Sequence, residues 1–358
     1  MKDAYLVLGD GRVFQGKRIG AAGDVTGELV FHTGVVGYVE LLTDPACAGQ
    51  IVMQTFPLVG NYGVAEEDFE SAGTVGGYVV RECCDTPSNF RSEYTLDALL
   101  KKRGIPGICG VDTRELTRIL REEGTVNARI CDTVPADLAA VTGHALTGAV
   151  AAVSRRQPQV YPAVGEKRYA VTLIDYGVTN SLLRALCQRG CEVTAVPFDT
   201  AAEAVLAAKP DGVVLSGGPG DPHAIPAAVA ELKTLIGRVP VWGVGLGHQL
   251  AALAMGGTVT KLHHGHRGGN QPVKEPGDHR TYITSQNHGF AVEAESLAGV
   301  GEVTFVNVHD GSGEGLTYPG KRCATLQFTP TGDDGTAGTA FLYDRFLTMM
   351  EEDRHAQR

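Results

Sequence analysis

The sequence has no basic excess: 31 lysines and arginines stand against 41 aspartates and glutamates, for a net charge of −10. That balance excludes a general nucleic-acid binder, which needs positive charge to pair with phosphates. No uninterrupted apolar stretch reaches membrane-spanning length, so no membrane partner is expected. The start, Met1 to Tyr5, is acidic by its third residue and lacks an apolar run, which argues against a secretory leader and for a cytoplasmic location. The eight cysteines (47, 83, 84, 109, 131, 187, 191 and 323) form no paired C-x-x-C framework. Reduced, buried thiols are expected in place of disulfides or a metal centre. Internal repeats and low-complexity tracts are absent too.

What is present describes an ordinary globular protein with ample core, 43% hydrophobic and 20% charged over 358 residues. That length favours two domains. Residues 1–150 read as β-rich, with a hairpin over 4–16 turning at Gly9-Asp10-Gly11 and further strands over 27–32 and 50–54. Asp112 to Arg121 reads as an amphipathic helix, with Asp112 or Thr113 as N-cap and Gly124 just past its end. Residues 136–152 lean helical. Two prolines and polar residues between Ser154 and Pro162 then break the pattern, and 151–165 is expected to be a linker.

From residue 166 onward strands and helices alternate: strands over 170–175, 191–196 and 211–215, helices over 179–189 and 200–208. This rhythm predicts a doubly wound α/β domain with a parallel sheet covered on both faces, and ligands at the carboxyl ends of its strands. Two glycine-rich loops fall at such ends. One is Ser216 to Pro222, whose Gly217-Gly218 amides suit an anion-binding nest. The other follows the apolar run Val239 to Val244, where Gly243-x-Gly245-x-Gly247 opens a helix through Ala254. A strand that breaks sharply into a helix is the nucleophile-elbow pattern, which holds one reactive side chain on a strained backbone. The apex here is Gly245, which has no side chain.

Across nearly its full length the chain resembles the carbamoyl-phosphate synthase small-subunit family, and its second half resembles class I glutamine amidotransferases. In the first domain the resemblance rests on Gly27 to Tyr38, Leu42 to Pro45, Gly60 to Gly63, Ser88 to Arg91 and Asp112 to Gly124. The second adds Ser216 to Pro222, Leu246 to Gln249, Gly268 to Val273 and Gln286 to Val292. The resemblance implies a chain that hydrolyses glutamine with a cysteine at the elbow, plus a histidine and a glutamate from a His-Pro-Glu segment. The thiolate attacks the amide, the imidazole shuttles the proton and the carboxylate orients the imidazole.

This sequence departs at all three positions, which are Gly245, Thr329 and Thr331, with Phe328 where a small residue is usual. Threonine near neutral pH neither shuttles protons nor supplies a carboxylate's charge. The glutamine-contact positions are Gly218, Gly220, Leu246, Gln249, Asn287, Gly289 and Phe290, all with the family's residue, and Gly34, which replaces a serine. His248 is expected to pack at the helix start, and His263-His264-Gly265-His266 to lie in a solvated loop without a metal. Phe328 is expected to crowd the place of an imidazole. The resemblance further implies a large-subunit partner in a heterodimer serving pyrimidine or arginine biosynthesis, with ATP and Mg used by that subunit and no cofactor in this chain. Two functions follow: a glutaminase-inactive small subunit supporting an ammonia-using large subunit, or a pseudoenzyme sensor that binds L-glutamine or a related small ligand.

Overall fold

A computed structural model describes residues 2–73, 75–277, 280–330 and 337–356, and the chain divides into two compact units, Met1–Thr147 and Gly148–Arg358. In the first, seven strands close into a barrel: β1 (Asp3–Leu8), β2 (Val13–Gly20), β3 (Val25–His32), β4 (Ile51–Gln54), β5 (Gly77–Val80), β6 (Pro106–Cys109) and β7 (Val126–Cys131). Around the barrel the order is β1-β2-β6-β5-β4-β3-β7 and back to β1. The run β3-β4-β5-β6 is parallel and the other pairings are antiparallel. The expected hairpin is β1–β2, with Leu6 opposite Phe14 and Gly11 at φ 94° in its turn. Strand alternation sends Leu29, Ile51, Met53 and Ile108 into one apolar cluster and Val30, Val52 and Tyr78 into another.

Helix Thr113–Glu123 forms where its caps predict. The Asp112 carboxylate accepts from the Arg114 N–H at 3.1 Å and the Glu115 N–H at 3.0 Å, and Gly124 at φ 87° ends the helix. Such a cap is worth about 1 kcal/mol. Leu116, Ile119 and Leu120 add to the cluster of Leu29 and Ile51, and the opposite face carries Arg118 between Glu115 and Glu122. The helix-leaning stretch over 136–152 becomes two short helices, Ala139–Thr142 and Ala149–Val153. Gly143 closes the first, and Gly148, at φ 63°, precedes the second.

The second unit is built on one ten-stranded sheet. Its strands are β8 (Gln159–Tyr161), β9 (Tyr169–Asp175), β10 (Cys191–Pro197), β11 (Gly212–Leu215), β12 (Val241–Val244), β13 (Thr258–Lys274), β14 (Thr281–Glu293), β15 (Glu302–Asn307), β16 (Gly313–Tyr318) and β17 (Cys323–Leu326). They lie in the order β8-β10-β9-β11-β12-β17-β16-β14-β13-β15. From β10 to β17 the pairings are parallel, with helices on both faces as the alternation predicts. Val213, Leu215 and Val241 join the cluster of helices Pro226–Leu235 and Leu246–Ala254. Val214 and Trp242 join that of helices Asn180–Gln188 and Phe341–Ala356.

Two segments differ from expectation. Residues 151–165, read as a linker, contain β8, which pairs antiparallel with β10 at the sheet edge. The histidine stretch 263–266, read as a loop, lies within β13, where His266 pairs with His288 of β14. Its register shifts between Lys261 and His266, and Gly265 sits there at φ 72°; a Cβ on it would come within 2.4 Å of the His288 carbonyl oxygen. Glycine and histidine are poor strand formers, and pairing with β14 overrides that preference through an irregularity in the ladder.

Candidate functional site

All four residues of β12 are buried, and the chain turns at Gly245 with φ 56° and ψ −115° into helix Leu246–Ala254. The turn is tight because neighbouring backbone passes very close. A Cβ on Gly247 would meet the Leu215 carbonyl oxygen at 2.4 Å, and one on Gly243 would meet the Gly247 oxygen at 2.9 Å. The Gly245 N–H donates to the Leu326 carbonyl at 2.8 Å and the Gly247 N–H to that of Ser216 at 3.0 Å, tying the elbow to both adjacent strand ends. Gly245 itself is less crowded: among the described residues a Cβ there would meet the Gly217 Cα at 3.3 Å and the Gln327 oxygen at 4.0 Å. The elbow of an acyl-transfer enzyme is therefore formed, with its apex lacking a nucleophile.

Around this apex the structure gathers several contact positions expected from the sequence. Ser216 fixes the loop after β11: its Oγ accepts from the Tyr176 N–H at 2.9 Å and donates to the Gly217 carbonyl at 2.8 Å. A side chain on Gly218 would strike the Tyr176 oxygen at 2.3 Å and the Leu246 side chain at 3.0 Å, and Gly220 holds φ 89°. Gln249, buried on the helix, donates from Nε2 to the Phe290 carbonyl and to Gln327 Oε1, both at 3.0 Å. Asn287, Gly289 and Phe290 lie on β14, where Asn287 pairs with Arg267 and Phe290 with Lys261. A Cβ on Gly289 would be 2.9 Å from Arg267 Nη2. Gly34 belongs to the barrel unit. It is buried just after β3, donates from its N–H to His32 Nδ1 at 3.2 Å, and its carbonyl accepts from Gln54 Nε2. Any Cβ there would lie 2.6 Å from His32 Cε1, so the family's serine would displace that ring.

Thr329 follows β17, the strand beside β12, and its N–H donates to the Ser285 carbonyl at 3.1 Å. Thr331 lies outside the described residues. Phe328 is fully buried, and its ring meets that of Phe305 edge-on with centroids 5.4 Å apart, inside a hydrophobic cluster. It serves the core, a role the sequence reading did not give it.

Two further reactive side chains lie on the elements that form the elbow. His248 is fully buried with Nδ1 2.8 Å from Thr325 Oγ1, and burial lowers its pKa to about 3. Cys323 sits on β17 opposite Val241, and burial pushes its thiol up, away from the reactive thiolate. Thr329 brings a neutral hydroxyl where the resemblance expects an imidazole, and the apex brings no side chain. Arg267, Gln327 and Ser216 join the site as residues that sequence reasoning did not assign to it. Only Ser216, closing a strand before two glycines, carried a local signal.

The carbamoyl-phosphate synthase small chain, CPSase domain, matches residues 6–130, and the class I glutamine amidotransferase domain matches residues 172–349. The pyrimidine-specific small chain of carbamoyl phosphate synthase from Halalkalibacterium halodurans is 44% identical over 358 residues, covering 98% of each chain. The small chain from Bacillus thuringiensis subsp. konkukian is 45% identical over 352 residues, covering 97% of this chain and 95% of that one. That from Listeria innocua is 45% identical over 359 residues, covering 98% and 97%.

Proposed function

Because the chain belongs to the carbamoyl-phosphate synthase small-chain family, we propose that it is a small subunit that no longer hydrolyses glutamine. It docks on, and structurally supports, a large subunit that uses free ammonia. The observation that carries this reading is the elbow, where Gly245 occupies the apex in an otherwise formed site. Removing a triad nucleophile costs on the order of a millionfold in turnover, and removing its partners as well adds little. ATP and Mg belong to the large subunit in this reading, this chain needs no cofactor, and the complex is a cytoplasmic heterodimer.

The cradle around the elbow favours one further reading, in which the chain still holds L-glutamine as a ligand and reports its level to a partner. Gly218, Gly220, Leu246, Gln249, Asn287, Gly289 and Phe290 are its contact positions in this unit. Calorimetric titration of the isolated chain with glutamine separates the two readings: a saturable isotherm supports the sensor, and none leaves the docking role.

Copurification with a candidate large subunit, followed by carbamoyl phosphate synthesis assays, tests the main proposal. Ammonium is expected to support synthesis by the complex, and glutamine to give only background. Glutamine turnover of about one per second, a modest enzyme rate, overturns it.

A further inference from the structure

We propose that His266, His288 and Glu314 form a binding site for a divalent transition-metal ion of the zinc type, bordering the cradle, since His288 stands between Asn287 and Gly289 on β14. The three side chains come from β13, β14 and β16, and all are buried. One potential ligand atom from each lies within 4.8 Å of the others. His266 and His288 are directly opposed across the β13–β14 ladder, with ring centroids 4.9 Å apart and planes at 88°.

The hydrogen bonds behind these side chains decide which atoms face the centre. His288 Nδ1 is 2.8 Å from the Phe290 carbonyl oxygen, which only accepts, so Nδ1 carries the hydrogen, and Nε2 faces the Gln286 side-chain amide at 3.1 Å, a contact that an arriving ion must displace. His266 Nε2 is 2.8 Å from Asp310 Oδ2, a carboxylate that likewise accepts, leaving the lone pair on Nδ1. That Nδ1 is buried without a hydrogen-bond partner, 3.3 Å from Glu314 Oε1. Glu314 itself, fully buried, is held from outside: Gln286 Nε2 donates to Oε2 at 3.1 Å, and Asn307 Nδ2 donates to Oε1 at 3.3 Å. One potential ligand atom of each histidine and one of Glu314 thus gather in one buried place, with the Gln286 amide against His288. A carboxylate behind one ligand histidine and a carbonyl behind the other is how metal-ligating histidines are fixed in orientation and tautomer.

The donor set selects the ion. Two imidazole nitrogens and one carboxylate suit zinc, with a fourth position for water, whereas calcium and magnesium take oxygen ligands.

The test is titration of the chelator-treated full chain with Zn²⁺ by calorimetry and with Co²⁺ by visible absorption. One ion per chain is expected, with a rise in melting temperature on Zn²⁺ addition and Co²⁺ ligand-field bands of four- or five-coordinate geometry. Asp310→Asn, at a half-exposed carboxylate, is expected to weaken binding about 10–100-fold, the usual cost of losing such a supporting partner. Glu314→Gln is expected to abolish binding, and circular dichroism shows whether that variant folds. Failure of the wild-type chain to bind Zn²⁺ one-to-one means that a proton alone bridges the cluster, and overturns the proposal. So does binding that survives Asp310→Asn undiminished and disappears in a His263→Ala/His264→Ala variant, which would place the ion on the neighbouring histidines.

Discussion

The elbow at Gly245 and the polar cluster of His266, His288 and Glu314 belong to the same α/β unit but are built in opposite ways. At the elbow the backbone is demanding and the side chain is missing: the left-handed turn is held by hydrogen bonds to Leu326 and Ser216, around an apex with no functional group. In the cluster the strands are irregular but unremarkable, and the side chains carry the chemistry, each held by a partner behind it. Backbone geometry at the elbow is set by Gly243, Gly247 and the adjoining strands, none of which reacts. It therefore persists whatever occupies the apex, and an intact elbow is no sign of an intact reaction. The cluster teaches the converse. A fully buried carboxylate such as Glu314 is tolerated only while its partners remain, so its hydrogen bonds are a requirement of folding.

The sharpest way to break this contrast is Gly247→Ala. The added Cβ would come within 2.4 Å of the Leu215 carbonyl oxygen and 2.6 Å of Leu215 Cβ, so β11 or the helix must shift. Overpacking of this kind costs about 1–3 kcal/mol, and contact with backbone puts it at the upper end. A loss of about 3 kcal/mol by chemical denaturation is expected, despite alanine's better helix propensity. A neutral effect would show that close approach at Gly247 does not set the elbow.

Much of the fold was legible because local signals agreed with the tertiary structure. The alternation of strand and helix from residue 166 gave the parallel sheet, Asp112 and Gly124 gave the helix between them, and Gly243-x-Gly245-x-Gly247 gave the elbow. The antiparallel half of the sheet was hidden. In β13 and β14, glycines and histidines interrupt any alternation, and only pairing between the two strands makes them strands. The polar cluster was hidden for the same reason. His266, His288 and Glu314 are far apart in sequence, and the histidine stretch looked like a loop until β14 was laid beside it. Phe328 shows the limit of motif reading: its position suggested a role at the site, and packing against Phe305 gives it one in the core.

A second test concerns His248, which lies one turn from the apex yet is buried like the core. Its pKa of about 3 in the folded chain stands against 6.5 in the unfolded one. Below pH 6.5 the unfolded chain takes up a proton that the folded chain refuses. Stability therefore falls as pH drops through 6.5 towards 3, and the penalty fades out above 6.5. Between pH 6.5 and 5 the loss is about 2 kcal/mol, at 1.36 kcal/mol per unit. His248→Asn removes this group, while His288 and the carboxylates titrate in both proteins. The variant should lose about 2 kcal/mol less than the parent over that range in urea denaturation. Equal losses would mean that His248 is protonated in the fold, which would reopen it as a proton carrier beside the elbow.

The smallest effect is expected at the apex itself, in Gly245→Cys. Among the described residues a Cβ at φ 56° and ψ −115° meets the Gly217 Cα at 3.3 Å, a contact that a small shift relieves, so most of the cost is conformational. Holding a side-chain-bearing residue in such a region costs about 1–3 kcal/mol. The lower unfolded-state entropy of cysteine relative to glycine returns about 0.4–1 kcal/mol. A net loss of about 1 kcal/mol is expected in a thermal or denaturant melt. Glutaminase activity should stay at background, because Thr329 offers the new thiol no base. Adding Thr329→His and Thr331→Glu supplies a base and its orienter, and the triple variant is expected to show turnover that the single one lacks. Phe328 should be left in place, since truncating it empties core volume beside Phe305 at about 3–5 kcal/mol. If Gly245→Cys alone hydrolyses glutamine, another base already faces the apex, and the difference between a built elbow and a missing reaction reduces to one side chain.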